Sequence, residues 1–101
     1  MPKKILLCCA AGMSTSLLVT KMKQDAAARN LDVEIEALPI NEGMDKVDQV
    51  DVILLGPQVG YAKANFEKVA DGRVNVSVIP MADYGRMNAK KINDEAIALM
   101  K

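Results

Sequence analysis

Four short runs of strand-forming residues alternate with segments of helical period, and that alternation restricts the fold more than any other feature of the chain. The runs are Lys3–Cys9, Asp32–Leu38, Asp51–Leu55 and Asn75–Ile79. After the first comes a loop, Ala10 to Met13, and then a helix opened by Ser14-Thr15-Ser16 and reaching about Asn30. Leu18, Met22 and Ala26 form its inner stripe, while Lys21, Lys23, Gln24 and Asp25 are expected to face water. The second run alternates Val33, Ile35 and Ala37 with acidic residues, the pattern of an edge strand, and Pro39 ends it. A short helix is expected over Asn41–Val47. The third run is apolar almost throughout, as a central parallel strand is, and Gly56-Pro57 stops it. Pro57 starts a helix running to about Ala70, closed by Asp71-Gly72. Pro80 ends the fourth run, and the last helix covers Asn88 to Met100 on a stripe of Ile92, Ala96 and Leu99.

The order β-α-β-α-β-α-β-α predicts an α/β fold: a single-domain, four-stranded parallel sheet with helices on both faces. Such sheets bind ligands outside the carboxyl ends of their strands. Four segments meet there: Cys9–Ser16, Pro39–Gly43, Gly56–Tyr61 and Pro80–Arg86. A length of 101 residues, half of them apolar, suits one domain with its own core over residues 1–101. Thirteen Lys and Arg balance 13 Asp and Glu, which argues against nucleic acid or a membrane surface as partner. Met1-Pro2-Lys3-Lys4 begins like a signal peptide, but Ile5–Ala11 breaks at Gly12 into hydroxyl residues and reads as a strand and loop. A cytoplasmic protein with reduced thiols is expected.

Histidine is absent, which removes His-based general bases, His metal sites and phosphohistidine, and neither metal nor cofactor is called for. The two cysteines are neighbours, Cys8 and Cys9, a spacing that strains a disulfide and lacks the C-x-x-C redox pattern. The densest chemical signal is Cys9-Ala10-Ala11-Gly12-Met13-Ser14-Thr15-Ser16: a thiol at a strand end, a small-residue loop, then hydroxyls at a helix start. Backbone N–H groups of such a loop and the helix N-terminus cradle an anion and favour a thiolate. Together they suit phosphoryl transfer through phosphocysteine. The hydroxyls could also be ordinary helix caps, and buried cysteines are usually small hydrophobes, the reading preferred for Cys8 inside the strand; for Cys9, at the strand end on the ligand face, the functional reading is preferred. A C-x5-R phosphatase loop would need Arg where Thr15 or Ser14 stands, so the clamp on a transferring phosphate is missing.

Cys9-x-x-Gly12-Met13-Ser14-Thr15-Ser16-Leu17-Leu18 resembles the active-site signature of the enzyme IIB component of the bacterial phosphoenolpyruvate-dependent sugar phosphotransferase system, in its lactose/cellobiose (chitobiose) family. Leu54-Leu55-Gly56-Pro57-Gln58 and Tyr84-Gly85-Arg86-Met87 resemble later segments of that family in the expected order. The resemblance implies a cytoplasmic phosphoryl carrier. Cys9 would accept the group from phosphohistidine on a IIA protein and pass it to a β-disaccharide bound by the membrane IIC permease. Ala10, Ala11, Gly12, Met13, Ser14, Thr15 and Ser16 match the phosphate loop. The rival reading is a cysteine phosphatase or arsenate-reductase-like enzyme; a third role, a phosphorylation state read by a regulator, is compatible with the same residues.

Four rim residues complete the expectation. Gln58 and Tyr61 by the third strand's end, and Tyr84 and Arg86 after the fourth, are candidates for partner docking. For Gln58 and Tyr61 an ordinary helix start weighs equally; for Arg86 a solvated loop position weighs more. Asp83 sits where a cysteine phosphatase carries its general acid, but without an Arg in the Cys loop it reads as a loop or cap residue.

Overall fold

The structure, a computed structural model, describes residues 2–9 and 13–100. Its strands are β1 (Lys3–Cys9), β2 (Val33–Pro39), β3 (Val52–Leu55) and β4 (Asn75–Val78). Its helices are α1 (Met13–Ala28), α2 (Ile40–Met44), α3 (Lys63–Ala70), α4 (Met81–Gly85) and α5 (Ala89–Leu99). Two 3-10 segments, Val47–Gln49 and Pro57–Ala62, precede β3 and α3. The strands form one parallel sheet in the order β2-β1-β3-β4. The chain thus builds outward from β1 to one side and then reverses to the other, which puts a topological switch point between β1 and β3.

Two apolar layers sandwich the sheet. Ile5 and Leu7 of β1 and Leu54 of β3 pack with Leu18, Met22, Ile92 and Ala96 of α1 and α5. Leu6 and Cys8 of β1 and Ile53 and Leu55 of β3 pack with Val47, Val59, Phe66 and Ala70 on the other face. Both central strands are therefore buried on each side, which is why they read as unbroken apolar runs. β2 is an edge, as its alternation predicts, with Glu34 and Glu36 exposed and Ile35 buried.

Several elements depart from the expected ones, each for a packing reason. The helix expected over Pro57–Ala70 is divided: Val59 leaves helical dihedrals (φ −119°, ψ 24°) to bury its side chain, and the α-helix begins only at Lys63. The short helix after β2 ends at Met44, with Val47 anchoring a separate 3-10 turn. The segment after Pro80 is a helix, α4, rather than open loop. Asp25 does not simply face water. Asn93, fully buried on α5, donates to Met22 O at 2.9 Å and to Asp25 Oδ2 at 3.0 Å. Arg29 bonds the same carboxylate, and these two donors hold Asp25 below the usual carboxylate range. Arg29 also reaches Asp94 at 2.7 Å, so one guanidinium ties α1 to α5.

Gly43 in α2 lies hard against Cys8: a Cβ there would collide with the Cys8 Sγ. Gly43→Ala should destabilise the fold, because overpacking costs about 1–3 kcal/mol while alanine gains only about 1 kcal/mol over glycine in a helix. In a Cys8→Ala background, where the sulfur is gone, the same change should become neutral or stabilising. Urea unfolding of the four proteins measures this coupling.

Candidate active site

Period two along β1 decides what its two thiols can do. Cys8 belongs to the layer of Leu6, Val47 and Phe66 and is fully buried. Burial, and secondarily the charge of the neighbouring Cys9, pushes the Cys8 thiol up to about 12. A thiol held there stays protonated at neutral pH and is neither nucleophile nor anion ligand. Cys9 has the opposite parity, that of Ile5 and Leu7, and so takes the α1 face of the sheet. It is the last residue of β1, paired with Pro39 of β2, at 6 % exposure. Neither cysteine is in a disulfide.

Four residues after Cys9, α1 begins at Met13, with no acidic residue in its first turn to repel an anion. Of the expected phosphate loop, Ala10, Ala11 and Gly12 lie outside the described residues. Met13, Ser14 and Thr15 contribute backbone to the first turn of α1, and their side chains are likewise outside the description. Ser16 is exposed on the same turn, and its carbonyl accepts the Thr20 hydroxyl at 3.1 Å.

The neighbouring strand closes the site from below. Gly56 N–H donates to Cys8 O at 3.0 Å, joining the end of β3 to the peptide that leads into Cys9. A Cβ on Gly56 would stand 3.2 Å from Gln58 Oε1 and 3.7 Å from Tyr84 Cε2. Two of the four rim candidates, Gln58 and Tyr84, thus converge on Gly56. Tyr84 is buried, in the apolar layer that Cys9 faces. Tyr61 stands out at 76 % exposure, and Arg86 is exposed at the C-cap of α4.

Asp83 is more than the loop or cap residue expected of it. It is buried, and Lys91 Nζ, 3.1 Å away, is the only partner that its buried Oδ2 has among the described residues. Asp83 in turn raises Lys91, by hydrogen bonding first and by charge second. No local pattern announces this pair, because it depends on the turn at Met87 (φ 51°) that folds α5 back beside α4. A concavity of about 520 Å³ runs elsewhere, along β2, where Lys4, Lys23 and Lys46 face Glu34 and Glu36. It includes none of the site residues.

A family model described as "PTS system, Lactose/Cellobiose specific IIB subunit" matches residues 4–95. The chain belongs to this family. It is 42 % identical to the oligo-beta-mannoside-specific EIIB component of Bacillus subtilis, over 97 % of this chain and 96 % of that one. It is 44 % identical to the cellobiose-specific EIIB component of Lactococcus lactis subsp. lactis, with the same coverage. The solution structure of the cellobiose-specific IIB component from Borrelia burgdorferi superposes with a TM-score of 0.82 at 36 % identity, covering 99 % of this chain and 93 % of that one. The lactose-specific IIB domain of Streptococcus pneumoniae shares the fold, with a TM-score of 0.83 at 18 % identity over 95 % of this chain and 98 % of that one. The protein is a IIB component of a sugar phosphotransferase system, an enzyme of phosphoryl transfer in sugar uptake. The phosphatase reading is not favoured.

The two thiols should differ sharply in reactivity. Iodoacetamide on the native protein should label Cys9 and leave Cys8 unmodified until the chain unfolds, as tandem mass spectrometry of the labelled peptide would show. Cys8 also makes stability pH-dependent. Its pKa rises from 9.0 for a free thiol to about 12 in the fold. Below about 9 its contribution is fully present; from there towards 12 the unfolded chain loses the proton while the folded one keeps it, so stability falls. Cys8→Ala should flatten that fall in urea midpoints measured between pH 8 and 10.5.

Proposed function

We propose that Cys9 is the phosphorylated residue of this IIB component. Its thiolate attacks the phosphorus of a phosphohistidine on a IIA protein: an S–P bond forms, the N–P bond breaks, and the imidazole leaves with the electron pair. A hydroxyl of a β-disaccharide of the cellobiose, chitobiose or lactose type, bound by the membrane IIC permease, then attacks the same phosphorus: an O–P bond forms, the S–P bond breaks, the thiolate leaves with the electron pair and the hydroxyl proton passes to water. The observation that carries this reading is the parity of β1. It withdraws Cys8 into a dry layer and leaves Cys9 on the face where α1 begins. Ala10 to Ser16 supply backbone N–H groups to the phosphoryl oxygens, and the α1 terminus adds its positive end. Donor and acceptor dock at the carboxyl edge of the sheet, where the exposed Gln58, Tyr61 and Arg86 form the rim; Tyr84, expected on that rim, is buried by the packing of α4 on the α1/α5 layer and lies behind it. No helix among the described residues is long and apolar enough to cross a membrane; the protein works at the cytoplasmic side of the permease.

The chemistry asks for a group that is both a nucleophile and a good leaving group. A thiolate is both; a serine alkoxide leaves poorly. With purified general components, a IIA protein and permease vesicles, Cys9→Ser should fold normally yet give no sugar phosphate. Cys8→Ser should retain transfer while losing about 1–3 kcal/mol of stability if its buried hydroxyl finds no partner. Full sugar phosphorylation by Cys9→Ser would overturn the assignment. Steady turnover of an aryl phosphate without any acceptor sugar would favour a phosphatase instead.

A further inference from the structure

We infer that Asp83 and Lys91 are positioning residues for the transfer step, clasping α4 so that Tyr84 is held as the floor beneath Cys9. The inference rests on the reading of Cys9 as the phosphorylated residue.

Helix α4 has only five residues, Met81–Gly85, and no side-chain cap on its N-terminal residue Pro80. A helix of that length does not hold itself together in water. Its end is also costly, since Met87 adopts a left-handed φ of 51° in the turn to α5. Tertiary contacts must therefore fix it, and two adjacent side chains supply them. Asp83 points its carboxylate to a buried place where Lys91 of α5 meets it, and Asp83 O accepts Asn88 N–H at 2.9 Å. Tyr84 enters the α1/α5 layer and lays its ring beside Gly56, whose N–H holds the Cys8 carbonyl.

The consequence is mechanical. Without the ammonium of Lys91 the Asp83 carboxylate is an uncompensated buried charge, and the helix must shift outward to hydrate it. Tyr84 is the next residue and moves with it. The ring then no longer backs the Gly56–Cys8 junction, and the aim of Cys9 at an incoming phosphorus loosens. Near-attack geometry is sensitive to displacements of this size.

The chain has only two tyrosines, which makes the clasp directly observable. In the full chain labelled with 3-fluorotyrosine, buried Tyr84 and exposed Tyr61 should give two resolved 19F resonances. Phosphorylation by a IIA donor should shift the Tyr84 signal and leave that of Tyr61 in place. In Lys91→Met the Tyr84 signal should move towards the solvent-exposed position, and single-turnover transfer to sugar should slow by about tenfold or more, given that a 1 Å misplacement can cost ~10²-fold. Lys91→Arg should restore both. Lys91 is half exposed, so these variants are expected to fold, and a wild-type far-UV circular dichroism spectrum with a cooperative urea transition checks that they do. A Lys91→Met protein with wild-type transfer, or slowed transfer with an unmoved Tyr84 signal, overturns the inference, as does failure of Lys91→Arg to restore either readout. If instead Cys9→Ser transfers normally, the reading of Cys9 fails, while the Lys91→Met shift of Tyr84 still reports on the clasp.

Discussion

Burial of β1 on both faces is the constraint from which the site follows. The strand lies between β2 and β3 and under two helical layers, so each successive side chain must enter one layer or the other. Ile5 and Leu7 go one way, Leu6 and Cys8 the other, and the thiol of Cys9 has only the α1 face left to it. A slip of one residue would exchange the two sulfurs and at the same time drive Leu6 and Leu7 into the wrong layers. The apolar residues upstream thereby fix the register of the two thiols. Gly43 reinforces it from the far side, since the missing side chain is the space that the Cys8 sulfur occupies.

The order β2-β1-β3-β4 then determines what surrounds Cys9. At the switch point the connections from β1 and β3 diverge to opposite faces of the sheet, which opens the crevice between their carboxyl ends. The residues beside that crevice come from chain segments far apart in sequence: Gly56 and Gln58 after β3, Tyr84 after β4, and the first turn of α1. Gly56 joins them: Gln58 and Tyr84 both lie close to it, and its N–H holds the Cys8 carbonyl. The chain belongs to a family whose members carry out phosphoryl transfer in sugar uptake.

Much of this is legible from the residues alone, and the parts that are not share a cause. The strand runs, the edge character of β2 and the carboxyl-end location of Cys9 follow from periods and from punctuation by Pro39, Gly56-Pro57 and Pro80, all of them local signals. The break at Val59 is not local, because it is the apolar layer that pulls Val59 out of helical geometry. Nor is Asn93, a polar residue on an inner helix face whose partners lie on α1. Asp83 resists reading for the same reason: its burial and its pairing with Lys91 exist only once Met87 has turned the chain. Gln58 and Tyr84 follow the ends of β3 and β4, but nothing in sequence distinguishes buried Tyr84 from exposed Tyr61, so a rim position is expected of both tyrosines and only Tyr61 is exposed.

The central claim is that two adjacent thiols in one strand are divided by its pleat, one structural and one chemical. Fragmentation of the phosphorylated protein between residues 8 and 9 tests it most directly. After phosphorylation by a phospho-IIA donor, rapid digestion at neutral pH and electron-transfer fragmentation should find the added phosphoryl mass on the fragments that contain Cys9 and on none that contain Cys8 without it. Phosphate on Cys8 would contradict the account, because the buried layer of Leu6, Val47 and Phe66 would then have to admit both a donor protein and an anion.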